Sequence, residues 1–280
     1  MKGTVSVNQV AKIEKTSGAR GCVFNPRLTT DAMWAPMDLL RAPHDDSDLD
    51  WHATPPRLVE GLKFVSRFVG RSIHGRHRDW IERVHVANGK AYATDGIILV
   101  EYDVGESDAS YFVHDKRQIA LIDSFGERPS EVATGVETQY RWKNGSRLKL
   151  EPTSRHHNDF LREKFDEFDW TGLHTVSDEW RAQVVGQLSY KSGKEVYAHI
   201  TNDRIVSGVD ENSVLTQMNI ETPIDGEASI YKGHFVAAIK LAEKMKFEHY
   251  PNLTVMLITA KNLRAVVVGG RPQEPVPDLS

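Results

Sequence analysis

Two short histidine clusters are the residues of this chain that most resemble a metal site. His74 and His77 flank Gly75-Arg76, and His156 and His157 are adjacent. Imidazole is a common metal ligand. Arginines surround the first pair, however, and a positive charge beside a metal ion is unfavourable. A metal-dependent enzyme is therefore kept as an alternative, and we interpret these histidines as exposed or phosphate-contacting side chains.

Asp95 is the other candidate for chemistry, because an aspartate in a tight turn could seat a catalytic carboxylate. Asp-Gly is also among the strongest hairpin signals, and a turn at Asp95-Gly96 explains the residue fully. The sequence has no Gly-rich phosphate loop, nucleophile elbow or HExxH motif. Its single cysteine, Cys22, excludes an internal disulfide and a thiolate metal cluster. We expect no catalytic residue, no bound metal or cofactor, and a protein that is not an enzyme.

Composition limits the partners more than it limits the fold. The chain has 280 residues, of which 40% are hydrophobic and 26% charged, which suits two globular domains. A formal net charge of −4 excludes a wholly basic nucleic-acid binder but leaves room for a basic face on an acidic body. No apolar run is long enough to cross a bilayer, and the first residues lead into no apolar segment of a signal peptide. We expect a soluble, cytoplasmic protein that does not bind membranes.

The first half of the chain predicts a helix, a meander, a second helix and a hairpin. The first helix begins near Thr54-Pro55-Pro56, since a threonine cap and early prolines suit a first turn. A three-stranded meander covers 84–100, with turns at Asn88-Gly89 and Asp95-Gly96. The second helix covers 113–125, and a hairpin turns at Asn144-Gly145. Apolar residues at helical spacing give the first helix one buried face: Leu58, Leu62, Val65 and Val69.

The second half repeats this order at an offset of roughly 120 residues. Asp169-Trp170 echoes Asp50-Trp51, and Ser177 can cap a helix that buries Val184 and Leu188. A meander follows over 196–210, a helix opens near 231 and carries Lys240 and Lys244, and a hairpin covers 255–268. We expect both tryptophans to serve packing. Such a long period predicts duplicated α+β domains: 1–153, with an N-terminal extension over about 1–48, and 154–280.

Basic residues recur on the side of each predicted helix that its apolar face leaves open, and in the loop 71–78. Charge gathered in this way on an acidic body fits contact with a phosphate backbone without reading of bases. The candidate DNA-binding residues are Lys63, Arg67, Arg71, Arg76, Arg78, Lys116, Arg117, Arg181, Lys232, Lys240 and Lys244.

The stretch Ala91-Tyr92-Ala93-Thr94-Asp95-Gly96, followed by 97–101, resembles the "ATDG" turn of DNA sliding clamps. This family of ring-shaped processivity factors includes the bacterial beta clamp, proliferating cell nuclear antigen and bacteriophage clamps. The helix and hairpin over 231–268 resemble the end of a clamp's last domain. Together the resemblance covers 51–270, and the two-domain chain is most similar to a bacteriophage-like clamp. The basic loop 71–78 and the long N-terminal extension depart from the family pattern.

The resemblance implies a ring of six similar domains, with helices lining a hole for duplex DNA and antiparallel sheets outside. Two domains per chain then imply a homotrimer, in the host cytoplasm if the protein is viral. Such a ring slides on DNA and tethers a DNA polymerase. It is also expected to dock partner peptides, from the polymerase and a clamp loader, near 152–160 and the tail 271–280. An oligomeric scaffold with the same fold but without DNA remains the main alternative.

Overall fold

The computed structural model describes residues 22–24, 49–70, 79–109, 112–134, 137–150, 159–189, 197–208 and 216–270. The chain divides into two units. The first contains Met1–Ala93 and Tyr102–Asp159, and the second contains Thr94–Glu101 and Phe160–Ser280. The boundary predicted between 153 and 154 falls outside the described residues.

The first unit combines two helices with short antiparallel strands. Its elements are β1 (Cys22–Phe24), β2 (Trp51–Ala53), α1 (Leu58–Val65), β3 (Val84–Ala87), β4 (Lys90–Thr94), β5 (Ile98–Asp103, shared with the second unit), β6 (Phe112–His114), α2 (Lys116–Ser124), β7 (Glu131–Thr134), β8 (Thr138–Arg141) and β9 (Arg147–Leu150). One sheet has the strand order β1-β9-β8-β7-β2. Short 3-10 turns cover Ser66–Phe68 and Asp79–Glu82.

The elements of the second unit are α3 (Asp159–Asp166), β10 (His174–Thr175), α4 (Asp178–Leu188), β11 (Tyr197–Ile200), β12 (Arg204–Gly208), β13 (Thr216–Asn219), β14 (Ala228–Tyr231), α5 (Lys232–Leu241), β15 (Lys244–His249), β16 (Leu253–Ala260) and β17 (Leu263–Gly270). From β10 onward, the second unit has the same kinds of element in the same order as the first unit from β2 onward. No described helix is long and apolar enough to cross a membrane.

Strand pairing shows the duplication directly. The antiparallel pairs β2–β7, β3–β4, β3–β6, β7–β8 and β8–β9 of the first unit recur as β10–β15, β11–β12, β11–β14, β15–β16 and β16–β17 in the second. Helices stand at matching places, since α1 and α4 follow the first strand of each set and α2 and α5 precede the hairpins. The predicted α+β duplication is confirmed.

The predicted turns and apolar faces are present. Asn88 and Gly89 have φ of 49° and 72°, as the tight turn between β3 and β4 requires. Leu58, Leu62 and Val65 are fully buried on one face of α1. Val69, which was predicted on the same helical face, instead follows the helix in an extended conformation. Ser177 accepts the amide of Trp180 at the start of α4, so the predicted cap is confirmed.

Three predicted boundaries were wrong. Helix α2 begins at Lys116 rather than 113, because Asp115 accepts the amides of Arg117 and Gln118 as its cap. Thr54 does not cap α1; its hydroxyl donates to the carbonyl of Pro129. Lys244 is the first residue of β15 rather than part of a helix, since α5 ends at Leu241 and Ala242 is extended.

The core of the first unit contains a polar group that no sequence pattern predicts to be buried. His114 is fully buried, with its Nε2 2.6 Å from the hydroxyl of Tyr140 and its Nδ1 3.4 Å from Oε1 of Gln118. Gln118 Oε1 can only accept, so Nδ1 carries the proton and Nε2 accepts from Tyr140. Burial lowers the pKa of His114 to about 4. The ring is therefore neutral at physiological pH.

Candidate nucleic-acid interface

In the first unit, four of the predicted DNA-binding residues come from α1, α2 and the turn between α1 and β3. Lys63 and Arg67 are exposed at the end of α1 and in the 3-10 turn that follows it. Lys116 and Arg117 are exposed in the first turn of α2, and Lys116 Nζ lies 3.5 Å from the carbonyl oxygen of Val69. The structure thus brings Lys116 next to the segment that carries Arg67.

These side chains differ in how far their charge is already neutralised. Lys63 Nζ lies 3.0 Å from Asp123 Oδ1, in an exposed ion pair between α1 and α2. The guanidinium of Arg67 lies 5.8 Å from the ring centre of Phe64. Lys116 and Arg117 stand at the positive end of a helix dipole, where cations are unfavourable. The dipole of α2 therefore does not stabilise these two charges.

In the second unit, Arg181, Lys240 and Lys244 surround the connection from α5 to β15. Lys240 in the last turn of α5 and Lys244 at the start of β15 are both exposed. Lys232, at the other end of α5, is half-buried. Glu243 is exposed between the two lysines, so this surface is mixed in charge rather than purely basic.

Arg181 contacts the end of α5 and a neighbouring carboxylate, so its main role is to position α5 rather than to present a charge to solvent. Its Nη2 donates to the carbonyl oxygen of Ala242 at 2.6 Å, and its Nη1 pairs with Asp178. A cation at the last carbonyls of α5 is favourable because it faces the negative end of the helix dipole. The sequence pattern could not show this contact, since the two residues are 61 positions apart. Arg71, Arg76 and Arg78 lie outside the described residues.

Asp95 makes the turn and also a contact that the sequence did not reveal. Its Oδ1 accepts the amides of Ile97 and Ile98, and its Oδ2 lies 2.7 Å from Nε2 of His234 in α5. Burial raises the pKa of this carboxyl, but these hydrogen bonds outweigh it and hold the pKa below its ordinary value. Both carboxylate oxygens are engaged, so the structure assigns Asp95 to the turn and to anchoring α5.

The described residues hold no group of three or more His, Cys, Asp or Glu side chains that could bind a metal ion. His74, His77, His156 and His157 lie outside that part of the chain. We expected partner peptides to dock at 152–160 and 271–280, and of these residues only 159 and 160 are described.

Trp51 and Trp170 each pack against an arginine of their own unit. The guanidinium of Arg141 lies 4.5 Å from the Trp51 ring, and that of Arg264 lies 5.0 Å from the Trp170 ring. Trp51 is in β2, whereas Trp170 precedes β10 by four residues. Trp51 and Trp170 therefore correspond in the sequence pattern but do not occupy equivalent positions in the two units.

No protein-family model and no curated protein matches the sequence. Solved structures of bacterial clamps do match the fold. The DNA polymerase sliding clamp from Caulobacter crescentus has a TM-score of 0.62 at 14% identity, over 82% of this chain and 68% of that one. The Helicobacter pylori beta clamp bound to a DNA ligase peptide has a TM-score of 0.59 at 12% identity, over 81% and 67%. The chain therefore has the sliding-clamp fold.

Proposed function

We propose that this protein is a non-enzymatic DNA sliding clamp that encircles duplex DNA and tethers a replicative polymerase. The observation that carries the proposal is the duplicated unit, with five strand pairings repeated in order. A ring built from copies of one unit needs such a repeat, because each unit must present the same ends to its neighbours. The fold shared with bacterial clamps at TM-scores of 0.59 and 0.62 supports it.

The proposed ring contains six units and therefore three chains. This chain aligns with 67–68% of the matched clamp chains, as expected if it has two units where those have three. Contacts between chains are then head-to-tail, and a closed ring requires that they join different surfaces of the same chain. Topology holds the clamp on DNA, so the contacts with phosphate can be weak.

Exposed cations on the helices and at the start of β15 supply those weak contacts. Lys116 and Arg117 in the first unit, and Lys240 and Lys244 in the second, are the strongest candidates, because all four are exposed. Lysine and arginine on such a surface attract any DNA sequence alike and lose affinity as salt rises. Lys63, Arg67, Lys232, Arg71, Arg76 and Arg78 complete the proposed set, with Arg181 as a positioning residue.

An exposed apolar surface in the second unit suits the docking of a partner peptide. Val268 in β17 is 41% exposed, and its amide donates to the carbonyl oxygen of Ile97 at 2.9 Å. Ile97 is half-exposed at this contact, and Leu99, two residues further along the chain, is half-exposed as well. The Helicobacter pylori beta clamp has been solved with a DNA ligase peptide, and we propose that a polymerase or loader peptide occupies this surface here.

Charge reversal tests the DNA contact. The double variant Lys240→Glu with Lys244→Glu should abolish the stimulation of processive synthesis by the cognate polymerase. It should also lower the salt dependence of DNA binding, by about one unit of slope for each phosphate that the variant no longer binds. The control is Lys261→Glu, a charge reversal at an exposed residue in the turn between β16 and β17, which should retain both properties. The oligomer should stay intact in all variants.

Unchanged processivity in the double variant would remove the proposed role of this surface in DNA binding. If the protein forms an oligomer but neither variant nor wild type binds DNA, the scaffold alternative would replace the clamp.

A further inference from the structure

Strands β5 and β17 are neighbours within the second unit, which contains Thr94–Glu101 as well as β17. The amide of Val268, near the end of β17, donates to the carbonyl oxygen of Ile97 at 2.9 Å. Near the start of β17, Arg264 binds Glu101 through two hydrogen bonds of 2.7 and 2.9 Å. Both contacts belong to one antiparallel register, because the same number of residues separates them on each strand.

This register places three pairs of side chains directly opposite each other on one face of the two strands. They are Ile97 with Val268, Leu99 with Val266, and Glu101 with Arg264. The residues that alternate with them point to the other face and are almost completely buried: Ile98, Val100, Ala265 and Val267. The face that carries the proposed docking surface therefore contains two apolar pairs followed by one ion pair.

The apolar pairs cannot specify this register by themselves. If β17 slipped by two residues, Leu99 would be opposite Val268, and every side chain would remain on its own face. At Leu99 an aliphatic side chain would still pack against an aliphatic one. Hydrophobic contact at this position therefore hardly distinguishes the two registers.

The ion pair does distinguish them. Glu101 is only 3% exposed, and the same slip would place it opposite Val266, away from the guanidinium of Arg264. A slip in the other direction would move Glu101 beyond Leu263, the first residue of β17. A buried carboxylate that loses its partner is strongly destabilising. Each slipped register is therefore less stable than the observed one.

Arg264 is itself held in place by residues outside the two strands. Its guanidinium lies 5.5 Å from the ring centre of Phe165 and 5.0 Å from that of Trp170. Phe165 is fully buried, and the indole nitrogen of Trp170 donates to its carbonyl oxygen at 2.8 Å. These contacts limit how far the guanidinium can move along β17 to follow a displaced Glu101.

We infer that the ion pair of Arg264 with Glu101 sets the register of β17 against β5, which makes Arg264 a positioning residue for the proposed peptide-docking surface. That register is what brings Val268 beside Ile97. The role in docking rests on the proposed function, whereas the register does not. A buried ion pair adds little net stability compared with a well-packed apolar pair, but it can fix the alignment of two elements.

Replacement of both charged residues by methionine separates register from stability. Glu101→Met with Arg264→Met leaves no buried charge unpaired, so the denaturant concentration at half-unfolding should not fall below that of the wild type. Methyl-labelled protein reports the register, because directly opposed side chains lie closer together than diagonal ones. The wild type should show nuclear Overhauser contacts of Leu99 with Val266. The double variant should lose this preference and show contacts of Leu99 with Val268 as well.

The matched control is Lys246→Met, which removes the ion pair of Lys246 with Asp169 at 3.2 Å and should keep the wild-type contacts. Arg264→Lys keeps the charge but not the two-point contact, so it should show the same change to a smaller degree. Wild-type contacts in both Arg264 variants would overturn the inference. Unfolding of the double variant would contradict it too, since the pair would then serve stability rather than register. The measurement needs neither DNA nor peptide, so a negative result leaves the clamp proposal standing.

Discussion

At the scale of single residues, the buried pair of His114 and Tyr140 shows what a sequence pattern hides. Val113 and His114 read as the start of a helix, whereas the chain is extended there and turns into α2 only after Asp115. A histidine followed directly by three charged residues suggests a surface role. Its burial depends on a hydroxyl 26 residues away, which no local pattern specifies.

His114 should make the first unit sensitive to mild acid. Its pKa is about 4 in the folded protein against 6.5 ordinarily, so the unfolded chain binds more protons and stability falls as pH drops from 6.5 toward 4. Between pH 7 and pH 5 the wild type should lose about 2 kcal/mol of unfolding free energy through this group. Chemical denaturation at the two pH values measures the loss.

The matched variants are His114→Gln, which removes the titrating group, and His174→Gln, which removes an exposed histidine. The first should lose less stability than wild type over this range, and the second should lose the same amount. The carboxyls of Asp95 and Glu131, whose pKa values are lowered, affect stability only at lower pH. An identical loss in His114→Gln and wild type would show that His114 is not a buried, neutral group.

At the scale of elements, helix α1 shows a conflict between local preference and packing. Gly61 is a poor helix former in the middle of α1, yet a Cβ there would overlap Cγ1 of Val104 and lie 3.0 Å from Cδ1 of Tyr102. The glycine lets α1 approach the chain that follows β5 closely. Gly186 in α4 has no atom within 4 Å of the corresponding position.

Alanine at these two glycines should therefore have opposite effects. Gly186→Ala should stabilise the protein by about 0.5–1 kcal/mol through helix propensity. Gly61→Ala should destabilise it by about 1–3 kcal/mol, because overpacking outweighs the same gain. Thermal and denaturant unfolding of the two variants measure the difference. Stabilisation by both would mean that α1 does not pack closely against Val104.

Elements with strong turns could be predicted from the sequence, and elements defined by tertiary contacts could not. Asn88-Gly89 specifies a turn by its backbone preference alone, so the meander was predicted correctly. Strand β15 was missed because Lys244-Met245-Lys246 continues the helical spacing of α5 and no glycine or proline ends the helix. The two-residue strand β10 exists only through its pairing with β15.

At the scale of the whole molecule, duplication is the property that the sequence specified best, since the order of elements survives where individual residues differ. The candidate DNA surface was predictable in part, because exposure of Lys240 and Arg117 follows from the helical period. The contacts that commit Arg181 to α5, and His234 to Asp95, join residues 61 and 139 positions apart. Such contacts need the folded chain.

Sedimentation equilibrium of the full chain, over a wide range of concentration, tests the central claim most directly. A ring of duplicated units predicts that the protein assembles to three times the chain mass of 31.6 kDa. If the largest species has the mass of one or two chains, the ring and the clamp function built on it are wrong.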